Sequence, residues 1–357
     1  MKYPAQLSIQ DVLSRLDQFD AVIDVRSPGE FEEDHLPGAI NCPVLDNDER
    51  IKVGTLYRQA GAFEAKKIGA ALVAKNIAQH IENHFIDRPH NWKPLVYCWR
   101  GGNRSGAMAH IFGRIGWQVV QLEGGYKAFR GQVNNDLAVL PAGLQFTVLC
   151  GPTGSGKSRL LQTLAAQGAQ VLDLEQLAAH RGSVLGNLPT MPQPSQKLFD
   201  SRIWQLLRSF DPSRPVFVEA ESKKVGKLRV PDALMDKMRT SACISVELAL
   251  PLRVQLLMED YPHFVSDPAQ LNTQLGFLTP LHGKEKIAEW QQLALDGRTA
   301  EVVEALLRQH YDPGYMQSIR RNFSLFDQAT PLVLTDISDD VFRETSSQLR
   351  AAELVHS

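Results

Sequence analysis

F-T-V-L-C-G-P-T-G-S-G-K-S-R-L-L-Q-T-L-A-A, Phe146 to Ala166, holds a strand, a loop and a helix in one line. The apolar, partly β-branched run ending at Cys150 reads as a buried strand, and the stretch from Arg159 reads as a helix. Between them Gly151 to Ser158 matches G-x-x-x-x-G-K-[ST] at every fixed position, in the strand-to-helix context that gives the pattern its meaning. Glycines at 151, 154 and 156 let the backbone curl so that its N–H groups, with Thr153 and Ser155 between them, face phosphate oxygens. Lys157 adds a point charge, and Ser158 offers a hydroxyl to Mg²⁺. The expected fold of this half is α/β.

Working outward, further strands are expected at A-Q-V-L-D-L, P-V-F-V-E-A, A-C-I-S-V-E-L-A-L and P-L-V-L-T-D. Between Asp260 and Phe323 lies a mainly helical stretch broken by Gly276, Gly283 and Gly297, read as an insertion before the last strand. Upstream, V-Y-C-W-R-G-G-N-R-S, Val96 to Ser105, is a second anion cradle: a strand stops at Cys98 and a Gly-rich turn enters G-A-M-A-H-I-F. A cysteine heading a helix N-terminus meets unpaired N–H groups and the positive dipole end, which favour a thiolate and can hold an oxyanion or a persulfide-type sulfur. Arg100 and Arg104 add charge, and two cradles in one chain suggest group transfer with two donors.

Around this loop, A-V-I-D-V-R-S-P-G-E-F reads as strand, turn and helical turn, followed by a helix from about Lys66 to Ile86 and the strands P-L-V-Y-C and W-Q-V-V-Q-L. Strands alternating with helices imply a parallel sheet here too. Residues 131 to 143 lack strong periodicity. The domain boundary is drawn there, giving 1–136 and 137–357, with the helical insertion at about 260–323.

A chain of 357 residues has room for two cores. A formal net charge of −2 is no signature of general nucleic-acid binding, so any RNA contact must come from a local patch. M-K-Y-P-A-Q-L-S-I-Q has no apolar leader segment and no run spans a bilayer, which points to the cytoplasm. Cys42, Cys98, Cys150 and Cys243 are widely spaced, with no C-x-x-C pair and no zinc-type cluster. Cys150 and Cys243 read as core; Cys42 reads as structural, with a resolving thiol as the other reading.

Asp24 and Arg26 are expected to pair or brace the Cys98 loop, and His35 to pack or cap a turn. Glu219, ending V-F-V-E, is a candidate Walker-B-type carboxylate near Mg²⁺ or water, and Asp173 a weaker one. Lys223 to Arg229, K-K-V-G-K-L-R, is either a solvated face or an RNA-backbone contact. Arg298, His310, Tyr311, Tyr315, Arg320 and Arg321 are candidates for phosphate contact or base stacking.

Residues from about 10 to 130, with I-D-V-R-S-P-G-E-F-E-E-D-H-L-P-G-A-I-N and the Cys98 loop, resemble a rhodanese domain. Its cysteine carries sulfur or selenium as a persulfide or perselenide. Many such domains have four residues between cysteine and loop arginine; here Trp99 to Asn103 make five, which also resembles the C-x5-R loop of rhodanese-like phosphatases. Joined to G-P-T-G-S-G-K-S and V-E-A-E-S-K-K-V-G, the whole chain is similar to the tRNA 2-selenouridine synthases. That resemblance implies an N-terminal rhodanese-like domain and a C-terminal P-loop domain acting on wobble 2-thiouridine in the anticodon of tRNAs for Lys, Glu and Gln. It further implies S-geranylation from geranyl diphosphate, then exchange to 2-selenouridine with selenium from selenophosphate. On this reading Gly151, Thr153, Gly154, Ser155, Gly156, Lys157 and Ser158, with Glu219, hold the diphosphate, Mg²⁺ being a candidate companion. Cys98, Arg100 and Arg104 handle selenium. The rival readings are a P-loop small-molecule kinase with an accessory rhodanese domain, and a phosphatase-like or sulfide-binding module.

Overall fold

A computed structural model describes residues 4–182 and 191–356. Met1 to Tyr3, at the head of the segment read above for a leader, lie outside the described residues. The chain divides into two compact units, Met1–Leu137 with Pro194–Gln205, and Ala138–Gln193 with Leu206–Ser357.

In the first unit β1 (Ala5–Leu7), β2 (Ala21–Asp24), β3 (Ala39–Asn41), β4 (Pro94–Tyr97) and β5 (Val120–Leu122) form a parallel sheet in the order β1-β5-β4-β2-β3. Asp24 and Tyr97 are register partners. The chain therefore leaves β2 and β4 at one edge, where Arg26 and Cys98 follow. Behind the sheet the rings of Phe85, Trp92, Phe112 and Trp117 pack with centroids 4.9 to 5.7 Å apart. Burying each contributes roughly 2 to 3 kcal/mol and fixes the helix Asn103–Ile115 that follows the Cys98 loop.

Two helical segments differ from the expectations. Asn47–Gln59 forms a helix that buries no residue; it is held at its start by Asp46, which accepts from the Glu49 N–H at 2.7 Å. The next helix spans Ala62–His80 and continues as a π turn through Phe85, so it begins before Lys66. The stretch taken to lack periodicity is also helical, because Gly125–Val139 is one helix, with Tyr126, Phe129, Val133 and Leu137 buried along one face. Residues 194–205 pack against it within the same unit: the Trp204 indole donates to Asp136 at 2.8 Å, and Arg130 pairs with Asp200.

The second unit contains β6 (Gln145–Cys150), β7 (Gln170–Leu172), β8 (Pro215–Glu219), a hairpin of β9 (Lys224–Val225) and β10 (Leu228–Arg229), then β11 (Ala242–Leu248) and β12 (Thr330–Leu334). Five of these form a parallel sheet in the order β12-β11-β6-β8-β7. All five strands expected in this half are present. The helical stretch begins at Leu250 and runs to Asn322, with its own core of Phe264, Leu271, Leu275, Ile287, Trp290 and Val302. Among the described residues no helix is long and apolar enough to cross a membrane.

Candidate functional site

Cys98 follows β4 directly and is almost wholly buried, 2% exposed. Gly101 and Gly102 both take positive φ, turning the chain into the helix that starts at Asn103. Two carbonyls of the loop are held from the other side, where Tyr126 and Lys127, at the start of Gly125–Val139, donate their N–H groups to Cys98 O (2.8 Å) and Trp99 O (3.0 Å). The Ser105 hydroxyl donates to Cys98 Sγ at 3.3 Å, and Gln121 Nε2 donates to Ser105 Oγ at 2.8 Å. An open hollow of about 570 Å³ lies over this loop, bordered by Glu30, Arg50, Cys98, Arg100 and Arg104. Arg100 is exposed on its wall. Arg104 makes a two-pronged pair with Glu30, at 2.8 and 3.2 Å. Burial opposes ionisation of Glu30, but the Arg104 hydrogen bonds and charge outweigh it and hold the carboxyl below its usual range.

The phosphate loop joins β6 to the helix Lys157–Ala166. Gly156, at the helix N-cap, has φ +90°, and an added Cβ would lie 3.1 Å from the Phe342 ring, so the position requires glycine. Lys157 Nζ donates to the loop's own carbonyls, Gly151 O at 2.5 Å and Pro152 O at 3.2 Å. The Gly151 N–H donates to the Tyr315 hydroxyl. Arg253, 6% exposed, anchors the loop from the helical stretch: Nε and Nη2 donate to Thr153 O at 2.9 and 2.7 Å, while Nη1 and Nη2 reach Asp312.

Carboxyl groups crowd the other wall. Register pairing of Leu149 with Glu219 sets Glu219 level with the end of β6. There Glu219 Oε1 accepts from the Glu175 N–H at 2.9 Å, while Oε2 is buried without a partner. Ser158 Oγ donates to Glu175 Oε2 at 3.2 Å. Burial, reinforced by neighbouring carboxylates, pushes Glu219 well above the usual range and Glu221 up to about 8. Burial also lowers Lys157, against the pull of Glu175 and Glu221. These groups and Tyr261, Tyr311 and Tyr315 line a pocket of about 510 Å³. An apolar slot of about 50 Å³, bounded by Leu257, Met258, Val303, Leu306 and Leu307, adjoins it, sharing Thr153, Tyr261 and Tyr311. Among the described residues no three His, Cys, Asp or Glu side chains are arranged to hold a metal. Ser158 and Glu175 are hard oxygen donors that suit Mg²⁺ as part of a shell completed by phosphate and water.

One cradle thus suits a polyphosphate and the other a single anion or a nucleophilic sulfur. Two family models match the chain in the same order: a rhodanese-like domain over residues 8–132, and a tRNA 2-selenouridine synthase AAA domain over 144–280. The tRNA 2-selenouridine synthase of Nitrosomonas europaea is 32% identical over 353 residues, covering 97% of this chain and 84% of that protein. The chain belongs to the tRNA 2-selenouridine synthase family. Similar proteins of that name occur in Marinobacter nauticus, 31% identical over 88% of this chain and 93% of that one. In Bdellovibrio bacteriovorus the identity is 30%, over 84% and 89%. The family is one of enzymes.

Other residues singled out in the sequence fall into place around the synthase family's two cradles. Asp24 and Arg26 form a fully buried pair at 2.6 Å, with the guanidinium 3.9 Å from the Tyr126 ring centroid. His35 stacks on Phe31 at 4.0 Å and contacts Phe31 O, serving the turn. Cys42 is buried, and burial followed by the Asp24 charge pushes its thiol up to about 12. Cys150 and Cys243 are core residues of adjacent strands. Asp173 caps the helix Leu174–Ala178 by accepting from Gln176 N at 2.8 Å. His310, Tyr311 and Tyr315 reach the phosphate pocket, whereas Arg298 pairs with Glu301, Arg320 pairs with Asp327 and Arg321 is exposed. The run from Lys223 forms the β9–β10 hairpin, with Lys223 and Arg229 both turned to Asp232. Sequence reasoning passed over Glu30, Gln121, Glu175 and Arg253, whose partners lie far along the chain.

Proposed function

We propose that this chain converts wobble 2-thiouridine to 2-selenouridine in tRNAs for Lys, Glu and Gln, a cytoplasmic reaction run in two steps on two cradles. In the first, the thiocarbonyl sulfur attacks C1 of geranyl diphosphate, a carbon–sulfur bond forms and diphosphate departs. Lys157 and the loop N–H groups stabilise the charge that develops on the leaving group. The observation that carries this reading is the apolar slot beside the phosphate loop at Thr153. The slot, at about 50 Å³, takes only the first few carbons of a hydrocarbon tail beside the diphosphate, and those gain by leaving water. Ser158 and Glu175 would hold Mg²⁺ against the diphosphate, and the ion would supply further charge neutralisation.

Alkylation makes sulfur a leaving group. In the second step selenium bonds to C2 and the geranylthio group leaves as a thiolate. Cys98 is the selenium-handling nucleophile: its thiolate attacks phosphorus of selenophosphate, the P–Se bond breaks and frees selenide for C2, and water then cleaves the S-phosphocysteine to phosphate, with Arg100 and Arg104 holding the phosphoryl oxygens. Arg104 would exchange Glu30 for the incoming charge. The test is mass spectrometry of nucleosides from 2-thiouridine tRNA incubated with geranyl diphosphate, then with selenophosphate. A geranyl mass gain followed by sulfur-to-selenium exchange is expected, with Cys98→Ser losing only the exchange and Lys157→Ala losing the alkylation first. Unchanged 2-thiouridine with folded protein refutes the proposal, and ATP turnover without tRNA would make the second unit a small-molecule kinase.

A further inference from the structure

Gln121 is a polar residue in the middle of a core strand. It lies between Val120 and Leu122, is itself 5% exposed, and pairs in register with Gln6 on one side and Val96 on the other. A buried amide is costly unless its hydrogen bonds are made. Here they are made in one direction. Gln121 Oε1 accepts from Gln6 Nε2 at 3.3 Å, and Gln121 Nε2 donates to Gly102 O at 3.1 Å and to Ser105 Oγ at 2.8 Å. Because a carbonyl can only accept, Gly102 O fixes which end of the amide faces the loop. The loop is shaped around this amide: Gly102 has φ +75°, and a Cβ there would lie 2.7 Å from Gln121 Nε2.

The Ser105 hydroxyl has one proton and two acceptors within reach, Cys98 Sγ at 3.3 Å and Gly102 O at 3.5 Å. Gly102 O is already filled, since it accepts from Gln121 and from the Gly106 N–H at 2.6 Å. With Ser105 Oγ accepting from Gln121, its proton is directed to sulfur. We propose that Gln121 is a positioning residue for Cys98: it occupies the competing carbonyl and orients the Ser105 hydroxyl, so that Cys98 sulfur receives a hydrogen bond as it attacks and as it leaves. The proposal rests on the reading of Cys98 as nucleophile and identifies what holds that sulfur ready. The charged groups that face the same hollow as Cys98 are Glu30, Glu33, Arg50, Arg100 and Arg104.

Gln121→Glu keeps the shape and replaces the donor by an acceptor, so the Ser105 proton turns away from sulfur. Iodoacetamide alkylation of Cys98 in the full chain, followed by peptide mass spectrometry, is expected to slow about tenfold at pH 7. That slowing is the effect of losing one hydrogen bond to a charged sulfur. Ser105→Ala should show the same loss, and the double variant no further loss. Gln121→Met, similar in size and without a donor, should slow alkylation in the native background and leave it unchanged in the Ser105→Ala background. Equal slowing by either Gln121 variant with and without Ser105 overturns the proposal, because the residue would then act through loop shape alone. Alkylation needs neither tRNA nor selenium, so a failed selenation assay with this coupling intact refutes the function and leaves the positioning role standing.

Discussion

Glu221→Gln should flatten the pH dependence of the second unit's stability. The Glu221 and Glu175 carboxyl groups lie close enough to couple. Both converge on Gly182, where an added Cβ would lie 2.5 Å from Glu175 Oε1 and 2.7 Å from Glu221 Oε1. Two carboxylates held this close repel, which favours a proton on one of them. Burial and then the Glu175 charge raise Glu221 from 4.5 to about 8, so the folded state keeps at neutral pH a proton that the unfolded chain has released. Stability falls with rising pH wherever the folded state binds more protons. This contribution is therefore complete below about 4.5 and lost as pH passes about 8. The interval sets a ceiling of about 5 kcal/mol. Glu221 is partly exposed on the pocket wall and shares its proton, so screening reduces the expected loss between pH 6 and 8 to about 2 kcal/mol. Gln at this position would offer Glu175 an N–H at every pH. The assay is amide exchange on peptides from β6 and β8, corrected for intrinsic rates, because a whole-chain melt mixes two units. The same loss per pH unit in parent and variant would refute the shared proton.

Arg253→Met removes the clamp between Thr153 O and Asp312. Asp312 is 34% exposed and regains water, so the cost is about 2 kcal/mol rather than that of a sealed pair. It should be read as a lower melting temperature of the second unit and weaker pyrophosphate binding, with Arg253→Lys restoring only part because lysine lacks the two-pronged geometry. Val303→Phe, placed in the apolar slot, should cut use of a prenyl diphosphate at least tenfold while leaving inorganic pyrophosphate affinity unchanged. Equal loss of both would remove the slot from the substrate path.

The strands β6 and β8 were legible because they are buried in the middle of a parallel sheet and read as apolar runs, whereas β11, A-C-I-S-V-E-L, alternates apolar with polar residues. β1 has no such signal, being three residues at the sheet edge with Ala5 and Gln6 exposed. Helix Asn47–Gln59 buries nothing and so carries no apolar stripe. At the sites, loop glycines and Lys157 follow from local backbone demands, which a short pattern can express. Their supports do not. Glu175 reaches Ser158 because β8 lies between β6 and β7 and supplies Glu219, which holds the Glu175 N–H. Arg253 meets Thr153 across 100 residues of chain. Gln121, read along the sequence, is one polar residue in V-V-Q-L.

Each cradle holds one of its cations already matched. Arg104 faces Glu30, and Lys157 donates to Gly151 O and Pro152 O with Glu175 and Glu221 near. An anion that enters must replace these partners rather than fill a bare positive field. A singly charged ion gains little from that exchange, because what it forms at the cation resembles what it displaces. On the proposed reading a diphosphate would offer several charged oxygens at once to Lys157, Ser158 and the loop N–H groups, a gain set against the cost of freeing the loop carbonyls. Mg²⁺ held by Ser158 and Glu175 would favour the ionised Glu175 carboxylate and so the loss of the proton shared with Glu221. Pyrophosphate should therefore bind more tightly with Mg²⁺ present and release a fraction of a proton near pH 7. Calorimetry in buffers of different ionisation enthalpy reads that release directly. Proton uptake instead would mean that the carboxyl pair stays closed when the phosphate loop is filled.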